Sequence, residues 1–225
     1  MTKFTFATSE EGFDNHIENS VRGYNNLWND VLSMSKYFIE DNTNVIDIGC
    51  STGKLLKSMI DQNKKHIPKA SYTGIEIEED FFKYYDKDMN KYPELSFYRD
   101  DVRQYEFVNC SLVTSIFTLQ FMPPKDREYT INKIYQGLNH GGAFIFSEKT
   151  FSCDPQVQDM MTFMYYDYKR KSFSEKEILN KEVQLRHMMK PNTKNEIFDM
   201  LDKAGFKHHV FWQNFNFVGI IALKK

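Results

Sequence analysis

The sequence predicts an α/β protein built on a mostly parallel sheet of seven strands, with one antiparallel strand and a helical cap. Three observations carry that expectation. Short apolar runs recur at 45–48, 72–77, 95–97, 111–117 and 143–146, and segments with helical periodicity separate them by short links. That alternation is the pattern of a parallel sheet covered on both faces, and right-handed crossovers leave few topologies for it. The chain then closes on two neighbouring strand-like runs, 207–212 and 217–223, whose hairpin adds one antiparallel strand. Lastly, the strand rhythm stops after Ser147, and 151–190 reads as helical and rich in Met, Tyr and charge.

Taken in order, the first 25 residues are polar and aromatic with little period. Leu27, Val31, Leu32, Met34, Tyr37 and Phe38 recur at helical spacing and predict a helix over 27–39. After the first strand, Leu55, Leu56 and Ile60 continue a helix over 54–64. The second strand leads into a helix expected over 78–89, and the fourth into one over 126–137 that stops at a turn, Asn139-His140-Gly141-Gly142. A last helix over 193–204 ends at Gly205. No linker or repeat divides the chain, so 1–225 is expected to be one unit with 151–190 as a cap insertion.

Composition narrows the function. A net charge of −2 supplies no general field for nucleic acid, which argues against direct nucleic-acid binding. The three cysteines, Cys50, Cys110 and Cys153, form no CxxC pair; this fits a reducing cytoplasm and gives no metal-ligand spacing. No apolar run is long enough for a signal peptide core or a membrane anchor.

The chemistry is concentrated first in VIDIGCSTGK, Val45 to Lys54. A phosphate-binding P-loop needs four residues between its glycines and Ser or Thr after its lysine, whereas three residues separate Gly49 from Gly53 and Leu55 follows Lys54. A dinucleotide fingerprint needs a central glycine where this chain has Ser51. What remains is Asp47-x-Gly49-x-x-x-Gly53 at the carboxyl end of the first strand. Ligands of open α/β sheets sit there, and Gly49 permits close backbone approach. This arrangement suits a nucleoside sulfonium, S-adenosylmethionine (SAM), in the class I methyltransferase fold; a ligand-free tight turn is the bland alternative.

Acids at the next two strand ends support SAM. Glu76 is placed to accept ribose hydroxyls, with Ile77 against adenine; Asp101 is placed to accept from the adenine amine, with Val102 against the ring.

Longer strings go further. SVRGYNN, DIGCSTG, FTLQFM, KIYQGLNHGGAFIFSEK, DYKR with FSEKEI, and KAGF with FWQNFNFVGIIALK together resemble the carboxy-S-adenosylmethionine synthase family from about Phe13 to Lys224. The resemblance implies a Rossmann-like SAM-binding fold with a helical cap, a homodimer, and transfer of a carboxyl group from prephenate to the SAM methyl carbon, within tRNA wobble-uridine modification. Its cofactor contacts map onto Tyr24, Gly49, Cys50, Ser51, Glu76, Ile77, Asp101 and Val102. Cys50 acts there through its backbone.

Two positions depart from the family. Ile116 stands where the family has Asn near the reacting end of SAM. Glu182 stands where the family has the Arg that holds the added carboxylate. Arg186, one helical turn beyond Glu182, is a candidate to restore the positive charge, or else a simple ion-pair partner for it. His187 is a candidate general base. The run Met160–Tyr168 reads as packing rather than an acceptor pocket, Phe13 and His16 as non-site residues, His140, His208 and His209 as structural, and Lys125, Arg127, Lys169, Arg170 and Lys171 as solvated surface.

The leading expectation is SAM-dependent methyl transfer to a small-molecule acceptor. Carboxy-SAM synthesis from prephenate is the first alternative, and a non-catalytic SAM- or carboxy-SAM-binding protein the second.

Overall fold

Strand β1 (Asn44–Ile48) lies inside the sheet because Val45, Ile46 and Ile48 are apolar on both faces and almost fully buried. The computed structural model describes residues 12–85 and 91–225. Around β1 run β2 (Ser71–Ile75), β3 (Leu95–Tyr98), β4 (Cys110–Ile116), β5 (Leu138–Phe151), β6 (Asn192–Thr193), β7 (Lys207–Asn214) and β8 (Phe217–Leu223). The order is β3-β2-β1-β4-β5-β8-β7, and β6 adds a two-residue pairing on β5. β8 is antiparallel to both β5 and β7, and is the one reversed strand of the seven on that path.

Alternation along the strands makes two cores. Val45, Leu112, Ala143 and Ile145 pack against α2 (Tyr24–Ser35) and α3 (Lys54–Asn63). Ile46, Val113, Phe144 and Phe146 pack against α4 (Pro124–Gly137) and α7 (Lys194–Ala204). Two further helices, α5 (Pro155–Lys169) and α6 (Glu175–Leu185), stand beyond the carboxyl end of β5. Asp154 caps α5 by accepting from the Val157 N–H at 2.9 Å. Ser174 and Glu177 form a capping box on α6. Helix α1 (Phe13–Ser20) reaches this pair, where the Tyr168 hydroxyl donates to the Glu18 carbonyl.

The structure corrects several local expectations. α1 lies in the segment read as aperiodic, and α2 begins at Tyr24 rather than Leu27. The helix expected over 78–89 is a short 3-10 turn, Glu79–Tyr84; residues 86–90 lie outside the described residues. It is short because Phe81 and Tyr85 turn into a small aromatic core beneath Cys50. The turn expected at 139–142 is an irregular stretch of β5, with the register shifting opposite Cys110–Leu112. Arg127 and Lys169 are 3% and 4% exposed, so neither is solvated surface.

Candidate functional site

The turn after β1 is held by long-range contacts as well as by its glycines. Gly49 has φ +70° and Ser51 φ +47°, both left-handed. A Cβ on Gly49 would lie 2.2 Å from Thr118 Oγ1, so the turn also requires glycine for space. Tyr85 supports it from below. Its ring stacks on Phe97 at 3.7 Å between centroids, and its hydroxyl donates to the Ser51 carbonyl at 2.7 Å. Cys50 Sγ is 3.5 Å from the same hydroxyl.

Of the acids foreseen at the strand ends, Glu76 is bonded to this turn, whereas Asp101 is engaged by Arg103. Glu76 is buried and accepts three backbone N–H groups, from Ser51 at 3.0 Å, Ile77 at 2.9 Å and Glu78 at 2.8 Å. Three of roughly four lone-pair positions are thereby used, which leaves direct room for one ribose hydroxyl rather than two. Ile77 beside it is 68% exposed, an apolar platform open to a flat ring. Asp101 caps the 3-10 turn Val102–Gln104 and is ion-paired to Arg103, which holds its carboxyl below the usual carboxylate range. Val102 packs into the α4/α7 core.

Asp47 is fully inside, 4% exposed, and among the described residues its carboxylate accepts from the Thr114 hydroxyl at 2.7 Å. Burial, against the opposing Thr114 hydrogen bond, pushes its carboxyl up to about 7. A buried carboxylate with no cation beside it is a receptor for one, and an ammonium or sulfonium would restore its charge. Thr52 Oγ1 in the same turn is buried without a hydrogen-bond partner among the described residues. These features fit SAM. Tyr24 packs against the core with its ring 6.4 Å from Phe117, within electrostatic reach of Asp47, and Ile116 ends β4.

A cavity of about 440 Å³ lies between α5, α6 and the end of β5. Tyr165, Tyr166 and Phe151 supply aromatic walls, and Lys149, Glu182 and Arg186 supply charge. One row of rings links it to Tyr24: Tyr24, Phe117, Phe217 and Tyr165, each 5.4–6.4 Å from the next. Arg186 thus shares a cavity with Glu182. His187 is exposed and does not line it. Tyr165, read as packing, belongs to both the core and the cavity.

Sequence reasoning missed Lys149, Lys169 and Gln120. The Gln120 side-chain carbonyl accepts from the Lys149 backbone N–H at 2.7 Å, fixing the end of β5 to the Leu119–Phe121 turn. Lys149 Nζ is 3.8 Å from Glu182 Oε2 and 5.0 Å from the Tyr165 ring centre; Lys169 Nζ is 5.2 Å from that ring. Burial lowers both lysines, while Glu182 opposes the shift. The FTLQ and SEK strings were the signal, because together they bring Gln120 and Lys149 into register.

A methyltransferase domain family matches residues 45–142. Human N-acetylserotonin methyltransferase in complex with SAM superposes with a TM-score of 0.56, covering 88% of this chain and 51% of that one at 15% identity. The pyocyanin biosynthetic protein PhzM superposes with a TM-score of 0.64, covering 98% and 61% at 13% identity. With the glycine turn and acids described above, the chain is a SAM-dependent enzyme of the class I methyltransferase fold. Its full-length relatives are more particular. The carboxy-S-adenosyl-L-methionine synthase of Staphylococcus epidermidis is 40% identical, over 99% of this chain and 97% of that protein. The enzyme of the same name from Shewanella sp. is 35% identical, over 100% and 94%. The chain belongs to the carboxy-S-adenosyl-L-methionine synthase family.

No helix among the described residues is long and apolar enough to cross a membrane. No group of three or more His, Cys, Asp or Glu among them is placed to hold a metal.

Proposed function

We propose that this enzyme carboxylates the methyl group of SAM, with prephenate as the carboxyl donor its family resemblance implies. The observation that carries the reading is the cationic cavity abutting the cofactor end, where Lys149 and Arg186 face aromatic walls. Methyl transfer to a neutral acceptor needs no such charge. Bound SAM supplies an acidified methyl group on a sulfonium. The chain's own residues hold and orient the reactants. Asp47 receives the ammonium, Glu76 the ribose and Asp101 the adenine amine, with Gly49, Cys50 and Ser51 lining the turn. Ile77 and Val102 flank the ring, although Val102 does so from a core position. Tyr24 closes over the reacting end, and Arg186 anchors a donor carboxylate. Proximity and orientation are the main contributions of such a site.

Methyl transfer to a small acceptor is the second reading, favoured by Ile116 and by Glu182, which stand where the family resemblance has Asn and Arg. Mass spectrometry of the cofactor released from purified protein separates the two. Carboxylated SAM is expected; S-adenosylhomocysteine alone favours methyl transfer. A second copy of the chain is proposed to cover the exposed Met160, Phe163, Leu179 and Val183 on α5 and α6, and light scattering should give a dimer.

A further inference from the structure

The resemblance puts an arginine at position 182 to hold the added carboxylate, whereas this chain has a carboxylate there, paired with a lysine from another element. Glu182 Oε2 lies 3.8 Å from Lys149 Nζ, with the two side chains 22% and 12% exposed. That separation is longer than a charge-assisted hydrogen bond, so the contact is Coulombic and not geometrically tight. Glu182 Oε1 is buried and accepts no hydrogen bond from the described residues. Glu182 is therefore a carboxylate placed against a buried cation, with little of its own bonding to lose.

The position of Lys149 follows from the sheet. Ile116, at the end of β4, is in register with Ser147 on β5. Lys149 is two residues further along the same face, so it stands one step beyond the position that the family resemblance puts near the reacting end of SAM. Gln120 locks the backbone at that point.

We propose that Lys149 is the specificity-determining cation for a carboxylate borne on the cofactor's transferable group, and that Glu182 occupies that place until such a ligand displaces it. This rests on the carboxylation reading above. Exchanging one carboxylate for another keeps the charge around Lys149 and Lys169 balanced. The displaced Glu182 has a new partner within reach, since Arg186 lies one turn along on the same helical face. SAM itself carries no carboxylate at its methyl group and leaves the Lys149–Glu182 pair intact. The site thereby distinguishes carboxylated cofactor from SAM without an arginine at 182.

Calorimetric titration of SAM and of synthetic carboxy-SAM into the full chain tests this. Glu182→Gln keeps the shape and removes the competing charge. It should tighten carboxy-SAM about tenfold. SAM should change by no more than about twofold. Lys149→Met should weaken carboxy-SAM about tenfold and leave SAM unchanged. The double variant Lys149→Met/Glu182→Met replaces the pair by apolar groups, guards against a folding defect, and should lose the gain seen in Glu182→Gln. Weaker or unchanged carboxy-SAM binding in Glu182→Gln, or an unchanged ratio in the Lys149 variants, overturns the proposal. If it falls while the wild type still carboxylates SAM from prephenate, the functional reading stands. If the wild type fails to do so, that reading falls, and the affinity ratios still decide the role of the pair.

Discussion

The cofactor turn and the α5–α6 cavity are both functional surfaces, but they are specified differently. At the turn, much of the necessary geometry is local: left-handed Gly49 and Ser51, and strand-end acids within a few residues of their strands. In the cavity, the charged residues come from separate elements: Lys149 is on β5, whereas Glu182 lies on α6 with Arg186 and Lys190 just beyond it, and Gln120 from the turn after β4 fixes the Lys149 backbone. A site built from one stretch tolerates little change within it. A site assembled from several elements can exchange a charge between them, as the Lys149–Glu182 pair suggests for a family expected to have arginine at 182.

The sharpest way to break the comparison is Gly49→Ala. The added Cβ meets Thr118 at 2.2 Å in a left-handed turn, so SAM affinity should fall by at least about a hundredfold in a titration. An alanine that leaves binding intact would show that the turn is less locally constrained than argued.

Next in size is Asp47→Asn. Burial raises the native Asp47 carboxyl from 3.8 to about 7, so the folded state holds a proton that the unfolded chain has released. That contribution is fully present below about pH 4 and is lost as pH rises to about 7. Ligand-free Asp47→Asn should therefore melt at a higher temperature than wild type at pH 8. The difference has an upper bound of roughly 4 kcal/mol and should vanish near pH 4. The same variant should bind SAM poorly, since it no longer offers a carboxylate to the ammonium.

Arg186→Ala probes the cavity. The prephenate KM should rise about tenfold while the SAM Kd stays constant, which steady-state kinetics beside a titration will show. A milder change is expected for Tyr85→Phe, which removes the hydrogen bond to Ser51 but keeps the ring stack; stability should fall by about 1 kcal/mol in denaturant unfolding. His187→Ala should do least. Its side chain lies outside the cavity, so turnover should stay within about twofold of wild type.

These contrasts also explain what the sequence made legible. The mostly parallel sheet, its one antiparallel strand and the glycine turn could be read because alternation and glycine spacing are recorded residue by residue, whereas the order of strands came only with the fold. Asp47 and Glu76 could be named because acids follow apolar runs. Their burial and the three N–H groups on Glu76 could not, since these depend on how the turn folds back. Arg127 and Lys169 were misread as surface because their neighbours in sequence are polar, while their neighbours in space are Met122, Tyr165 and Phe173. The helix expected over 78–89 failed for a related reason: Phe81 and Tyr85 satisfy a tertiary core rather than a helical face.

The central claim is that the cofactor turn and the cationic cavity act on one reaction. Incubating the purified enzyme with SAM and prephenate, then identifying the cofactor by mass spectrometry, tests it most directly. Carboxylated SAM is expected, formed with wild type and diminished by Arg186→Ala. Recovery of unchanged SAM, by an enzyme that binds it and methylates an added small-molecule acceptor, would contradict it.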